Sequence, residues 1–181
     1  MKRLIITGLA AVAAALPLAS AAQAGPAAPA VPGEIAVTGD HKPYLIAHAV
    51  GVQIYACYSV ADGYAWKLLA PRATLTGENG KPLASHYGGP TWEARDGSSV
   101  VGKRDAGVNV DPTAIDWLRL KADSTAPGPD GDRLTATTYI QRINTVGGRP
   151  PAAGECDEDT VAEQREIPYS ADYVFFKASG S

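Results

Sequence analysis

Apolar and polar positions along this chain alternate with a period of two. In Val52-Gln53-Ile54-Tyr55-Ala56-Cys57-Tyr58, extended backbone puts Val52, Ile54, Ala56 and Tyr58 on one side, as in a half-buried strand. A strand over 44–50 precedes it, with Gly51 expected as a bend or bulge. Further short strands are expected over 65–69, 73–76, 83–87, 91–94, 99–103, 115–121, 134–144 and 171–177. Turn signals separate them. Asn79-Gly80 and Asp96-Gly97 are the dipeptides that best tolerate the positive φ angles of tight hairpins. One short helix is expected over 157–166, where Asp157, Glu158 and Asp159 would sit favourably at its N-terminus. Nineteen glycines and fourteen prolines oppose longer helices. The fold class that follows is all-β: one antiparallel β-sandwich or barrel.

The N-terminus breaks this pattern. Lys2 and Arg3 precede an almost wholly apolar run from Leu4 to Leu16, and Ala22-Gln23-Ala24 has the small-x-small form of a signal-peptidase site. Residues 1–24 therefore read as a signal peptide, 25–33 as a flexible Pro- and Ala-rich leader, and 34–181 as a single β domain. No later stretch approaches the roughly 18 consecutive apolar residues of a transmembrane helix, so the expectation is a secreted, extracellular protein with no membrane partner after cleavage. Losing Lys2 and Arg3 takes the formal charge from −3 to −5. Scattered, outnumbered basic residues exclude nucleic acid as a partner. The two cysteines, Cys57 and Cys156, would meet an oxidising environment and close into one disulfide. Across a loop of that length the bond contributes about 4 to 5 kcal/mol in the chain-entropy model.

The densest chemistry lies between His86 and Gly102, in His86-Tyr87-Gly88-Gly89-Pro90-Thr91-Trp92-Glu93-Ala94-Arg95-Asp96-Gly97-Ser98 and the residues after it. The chain has no Gly-x-Ser-x-Gly elbow and no Gly-x-Gly-x-x-Gly opening a helix. Nothing in the sequence calls for a cofactor. Three histidines, His41, His48 and His86, fall short of a recognisable metal-ligand spacing. Asp96 belongs to a turn, and Glu93 is a strand residue facing solvent or an arginine. Gln141 and Arg142 read as a buried hydrogen-bonded pair. Trp66 and Trp117 read as core, whereas Trp92, between Gly88-Gly89-Pro90 and the Asp-Gly turn, is expected near a rim where a flat ligand could stack. The first reading is thus a non-enzymatic extracellular binding or cell-surface protein, with His86, Tyr87, Trp92, Glu93 and Asp96 at a shallow site for a carbohydrate or another small ligand. The alternative is an enzyme of sugars or cell-wall material, working through Glu93 and Asp96 or through a metal at His86. A third reading is purely structural.

Several blocks in order resemble a known group, the secreted domain of unknown function family 3455. They include 51–57, Trp66, 86–92, 96–98, 115–118, 139–142, 145–148, Cys156 and Pro168-Tyr169. The resemblance covers nearly the whole mature domain. It implies export, a mainly β fold and a cysteine pair at Cys57 and Cys156, and it brings no activity. Some members carry the name malate dehydrogenase. This chain has neither the dinucleotide fingerprint nor the strand-helix alternation that such an enzyme requires.

Overall fold

The structure is a computed structural model that describes residues 25–180; the signal segment expected over 1–24 lies outside the described residues. Eight antiparallel strands run in chain order, each paired with the next, and β8 closes back on β1: β1 His41–Val60, β2 Gly63–Thr76, β3 Pro82–Tyr87, β4 Thr91–Ala94, β5 Ser99–Val108, β6 Trp117–Ala126, β7 Tyr139–Gly147 and β8 Gln164–Ala178. Of the two expected architectures, the chain adopts the up-and-down barrel. Closure pairs the strand edges that an open sheet would leave free. Gly80 and Gly97 take φ of +71° and +79° in the Asn-Gly and Asp-Gly turns, as their dipeptides require.

Strand alternation sorts the side chains into two cores. The lumen holds Leu75, Trp92, Val100, Ile140, Tyr173 and Phe175 among others. Outside the wall, Ile143, Val174 and Phe176 are covered by the segment before β1, where Ile35 is fully buried and Val31 and Val37 pack against the same patch. Gln141 belongs to this outer side and donates from Nε2 to the Ile35 carbonyl at 2.7 Å, whereas Arg142 donates to the Asp116 carbonyl at 3.1 and 2.8 Å. They are adjacent in sequence and serve opposite faces, not one hydrogen-bonded pair.

Three local expectations are corrected. The period of β1 holds over 52–55 with its face inverted, since Gln53 and Tyr55 are buried while Val52 and Ile54 are only partly so; beyond it Ala56 is buried as expected, together with Cys57, and Tyr58 is exposed. Gly51 is not a bulge. The register shift against β2 falls at Ile54/Tyr55, and a Cβ on Gly51 would lie 2.1 Å from the Arg72 carbonyl oxygen, so glycine is there for close strand approach. No α-helix forms over 157–166. The Asp157 side chain instead accepts from the Asp159 and Thr160 amides at 3.1 and 3.0 Å, making a turn that Ala162 leaves at φ +71°. The Cys57–Cys156 disulfide, with a Cα–Cα distance of 5.4 Å, ties this segment to β1.

The two barrel ends differ. At one end the loop between β6 and β7 folds across the opening and buries Leu134 completely. At the other, β1 and β2 outrun their neighbours, since β2 pairs with β3 only from Ala73 to Thr76. The overhanging part of β2 carries Leu68 and Leu69, both exposed.

Candidate functional site

The β3–β4 hairpin divides the five residues singled out by the sequence. His86 pairs with Trp92 and Ser85 with Glu93, so alternation sends His86 and Trp92 into the lumen and Tyr87 and Glu93 outward. The His86 and Trp92 rings stack with centroids 4.3 Å apart and planes 8° from parallel. Tyr173 meets both edge-on, at 5.1 and 5.3 Å, completing an aromatic layer across the barrel. Trp92 is 1% exposed and so is no rim platform. Outside, the Tyr87 hydroxyl donates to Glu93 Oε2 at 2.8 Å in an exposed pair.

Asp96 serves the closed end of the barrel. Its Oδ1 accepts from the Ser98 amide and hydroxyl at 3.0 and 2.6 Å, and its Oδ2 from the Arg133 amide at 3.0 Å. The Ser98 hydroxyl oxygen in turn accepts from the Leu134 amide at 3.1 Å. These bonds hold the plugging loop in place. They also depress the Asp96 pKa, the Ser98 hydroxyl contributing most and the Arg133 amide next. Glu93 and Asp96 line different surface depressions, and the Asp96 carboxylate is taken up by Ser98 and the Arg133 amide. Among the described residues no group of three or more His, Cys, Asp or Glu side chains is placed to hold a metal ion.

What the barrel builds instead is a cavity of about 400 Å³ at its open end, to which every strand contributes. Gln53 comes from β1, Leu68 to Pro71 from β2, His86 from β3, Trp92 from β4, Gly102 to Arg104 from β5, Leu118 and Leu120 from β6, Arg142 from β7 and Tyr173 from β8. Eight-stranded barrels have lumens wide enough to be filled by side chains or to hold one small ligand. Here the half beneath the aromatic layer is filled and the half above it is not. Gly102 keeps the wall thin, since a Cβ there would lie 2.9 Å from Trp92 Cζ3. The volume lies within the roughly 300–1,000 Å³ typical of small-molecule sites.

Burial lowers the His86 pKa to about 4 against the opposing pull of its bond to Thr91, and the Arg142 charge lowers it further. His86 is therefore neutral near pH 7. Its Nδ1 lies 2.9 Å from the Thr91 carbonyl, which can only accept, so Nδ1 carries the proton and Nε2 keeps a lone pair. Burial also raises the Tyr173 pKa, with Arg142 partly offsetting it. Two buried donors in the cavity lining, Gln53 Nε2 and Trp92 Nε1, have no hydrogen-bond partner among the described residues. Such groups cost about 1–3 kcal/mol each when left unpaired.

The comparisons agree with the blocks of residues read from the sequence. The pattern of the family described as "Protein of unknown function (DUF3455)" matches residues 38–177. The chain belongs to this family. No curated protein and no solved structure matches it.

In this DUF3455 chain the matched segment contains the whole barrel except Ala178, the last residue of β8. A closed antiparallel barrel has no crevice at the ends of parallel strands, where a dinucleotide would sit, so the fold gives the name malate dehydrogenase no support. Sequence reasoning missed Gln53, Gly102, Leu118 and Leu120 as lining residues. The available signals were a glutamine inside an apolar strand and a glycine inside another.

Proposed function

We propose that this protein is a non-enzymatic binding protein that takes one small, largely apolar molecule into the open end of its barrel. The observation that carries the reading is the cavity of about 400 Å³ lined by all eight strands, with mostly apolar walls and unpartnered buried donors. Apolar side chains, among them Leu68, Leu69, Pro71, Trp92, Leu118 and Leu120, make up half of its lining residues, which suits a hydrocarbon or aromatic body better than a sugar. Leu68 and Leu69, exposed on the overhanging arm of β2, extend that wall toward solvent and give such a ligand a way in. We further propose that the protein is exported and works outside the cell. The Cys57–Cys156 disulfide supports an oxidising compartment, and the apolar N-terminal run ending in Ala22-Gln23-Ala24 supports the route.

The test is a fluorescence titration with the neutral apolar probe N-phenyl-1-naphthylamine, comparing the wild type with Ala70→Trp, which puts a large side chain into the cavity mouth at a half-buried position. The expected result is saturable binding with 1:1 stoichiometry in the wild type and its loss in a normally folded variant. Failure of the wild type to bind, or equal binding by the blocked variant, overturns the reading.

A further inference from the structure

The lining contains Lys103, Arg104 and Arg142 and no aspartate or glutamate. Arg104 reaches Asp116 Oδ2 at 3.3 Å, but Lys103 and Arg142 have no carboxylate partner among the described residues. Arg142 is half-buried, donates to the Asp116 carbonyl oxygen and is in hydrogen-bond contact with the Tyr173 hydroxyl; with no carboxylate partner among the described residues, its charge lies without a counter-ion beside an apolar wall.

A second cavity of about 240 Å³ adjoins the first and shares Gln53, Leu68 and Arg142 with it. It adds a further cation, Arg149, and its one acid, Asp116, is already engaged by Arg104 and by Asn109 Nδ2 at 3.2 Å. The junction of an apolar chamber with a cationic one is therefore occupied by Arg142 and by Gln53. Gln53 is 1% exposed, and its Nε2 has no partner among the described residues. Gly148 makes room for it, because a Cβ there would lie 3.3 Å from Gln53 Cγ and the residue already needs φ of +76°. A buried amide donor and a guanidinium without a counter-ion together suit a group with two acceptor oxygens and a negative charge.

We infer that the ligand is an amphipathic acid whose carboxylate is taken by Arg142 and Gln53 where the two cavities meet, with its apolar body against Leu118, Leu120 and Trp92. The inference rests on the lumen-binding reading above and adds the ligand's charge and polarity. Binding would neutralise the Arg142 charge and give Gln53 Nε2 the acceptor it lacks in the free protein. His86, neutral at pH 7, adds no charge to that seat.

The experiment is calorimetric titration of the purified protein with decanoate and with decanol, which share a chain and differ in the head group, in the wild type, Arg142→Gln and Gln53→Met. Decanoate is expected to bind about tenfold or more tighter than decanol, as hydrogen bonds to a charged group imply. Each substitution should weaken decanoate far more than decanol and so remove most of that preference. Gln53→Met removes an unpartnered buried Nε2 donor, so it should fold even if Arg142→Gln does not. Equal binding of decanol and decanoate by the wild type overturns the acid and leaves lumen binding intact. A preference that survives in Gln53→Met and Arg142→Gln overturns the seat. If neither decyl compound binds while N-phenyl-1-naphthylamine does, the amphipathic ligand is wrong and the cavity reading stands. If the naphthylamine also fails to bind, both fall together.

Discussion

Acid should weaken this barrel through His86 in a way that can be isolated. In the unfolded chain an imidazole has a pKa near 6.5, whereas in the barrel burial against Trp92 and Tyr173 brings His86 to about 4. Between those values the unfolded state binds a proton that the native state does not, so stability falls as pH is lowered and the loss is complete below about 4. The full difference amounts to about 3 kcal/mol, of which about 2 kcal/mol is lost by pH 5. That is a sizeable part of the roughly 5–15 kcal/mol by which domains are stable. Urea unfolding from pH 8 to pH 4.5 measures it when the wild type is compared with His86→Phe, because the remaining titrating groups cancel in the difference. The variant loses the bond to the Thr91 carbonyl and should be less stable at pH 7. The gap should close by about 2 kcal/mol on going to pH 5. An NMR titration of the His86 ring checks the same quantity directly. A native-state midpoint near 6.5, or a gap independent of pH, would refute the argument that this imidazole is held neutral inside the barrel.

Asp96→Ala removes an acceptor shared by Ser98 and Arg133, and should destabilise the protein by about 2–4 kcal/mol in chemical denaturation while speeding amide exchange at Arg133 and Leu134. Its weight should also fade with acid: the native carboxyl pKa is depressed, so the stability it contributes is present above the unfolded value and is lost as pH falls through the native one. Cys57→Ala with Cys156→Ala opens a crosslink spanning 99 residues and should cost about 4 to 5 kcal/mol, read as a fall of roughly 10–20 °C in Tm. Gln53→Met, which replaces an amide whose buried Nε2 is unpartnered by a thioether of similar length, should hold or raise Tm in the absence of ligand.

Local chemistry made much of this architecture legible. Strand β4 is found over the expected 91–94 and β3 begins one residue before the expected 83–87, because Pro82, Asn79-Gly80 and Asp96-Gly97 punctuate the chain where hairpins must turn. The face of β1 was not legible in the same way. Val52 and Ile54 are the more apolar set there, but near the open end the lumen-facing positions border cavities and carry Gln53 and Tyr55, so hydrophobicity points to the wrong side until Ala56, which is buried. The stretch 157–166 carries helix-favouring acids. It also lies just after Cys156, whose bond to Cys57 fixes the chain in a turn, and that tertiary constraint outweighs propensity.

The candidate site was partly written in parity. Once 83–87 and 91–94 are strands of one hairpin, His86 and Trp92 must share a face and Tyr87 and Glu93 the other, so the five residues could never have formed a single surface. Sequence alone could not say which face is enclosed, because that depends on β8 returning to pair with β1 more than a hundred residues after β1 begins. Closure converts the histidine-tryptophan pair from a possible platform into a layer across a lumen. The same closure brings Arg142 of β7 to the cavity that Gln53 of β1 lines. The blocks 51–57, 86–92 and 139–142 therefore each carry part of one cavity wall, although they lie far apart along the chain. The Asp96-Gly97-Ser98 block secures the opposite end, and that division gives the barrel one plugged end and one that a ligand can enter.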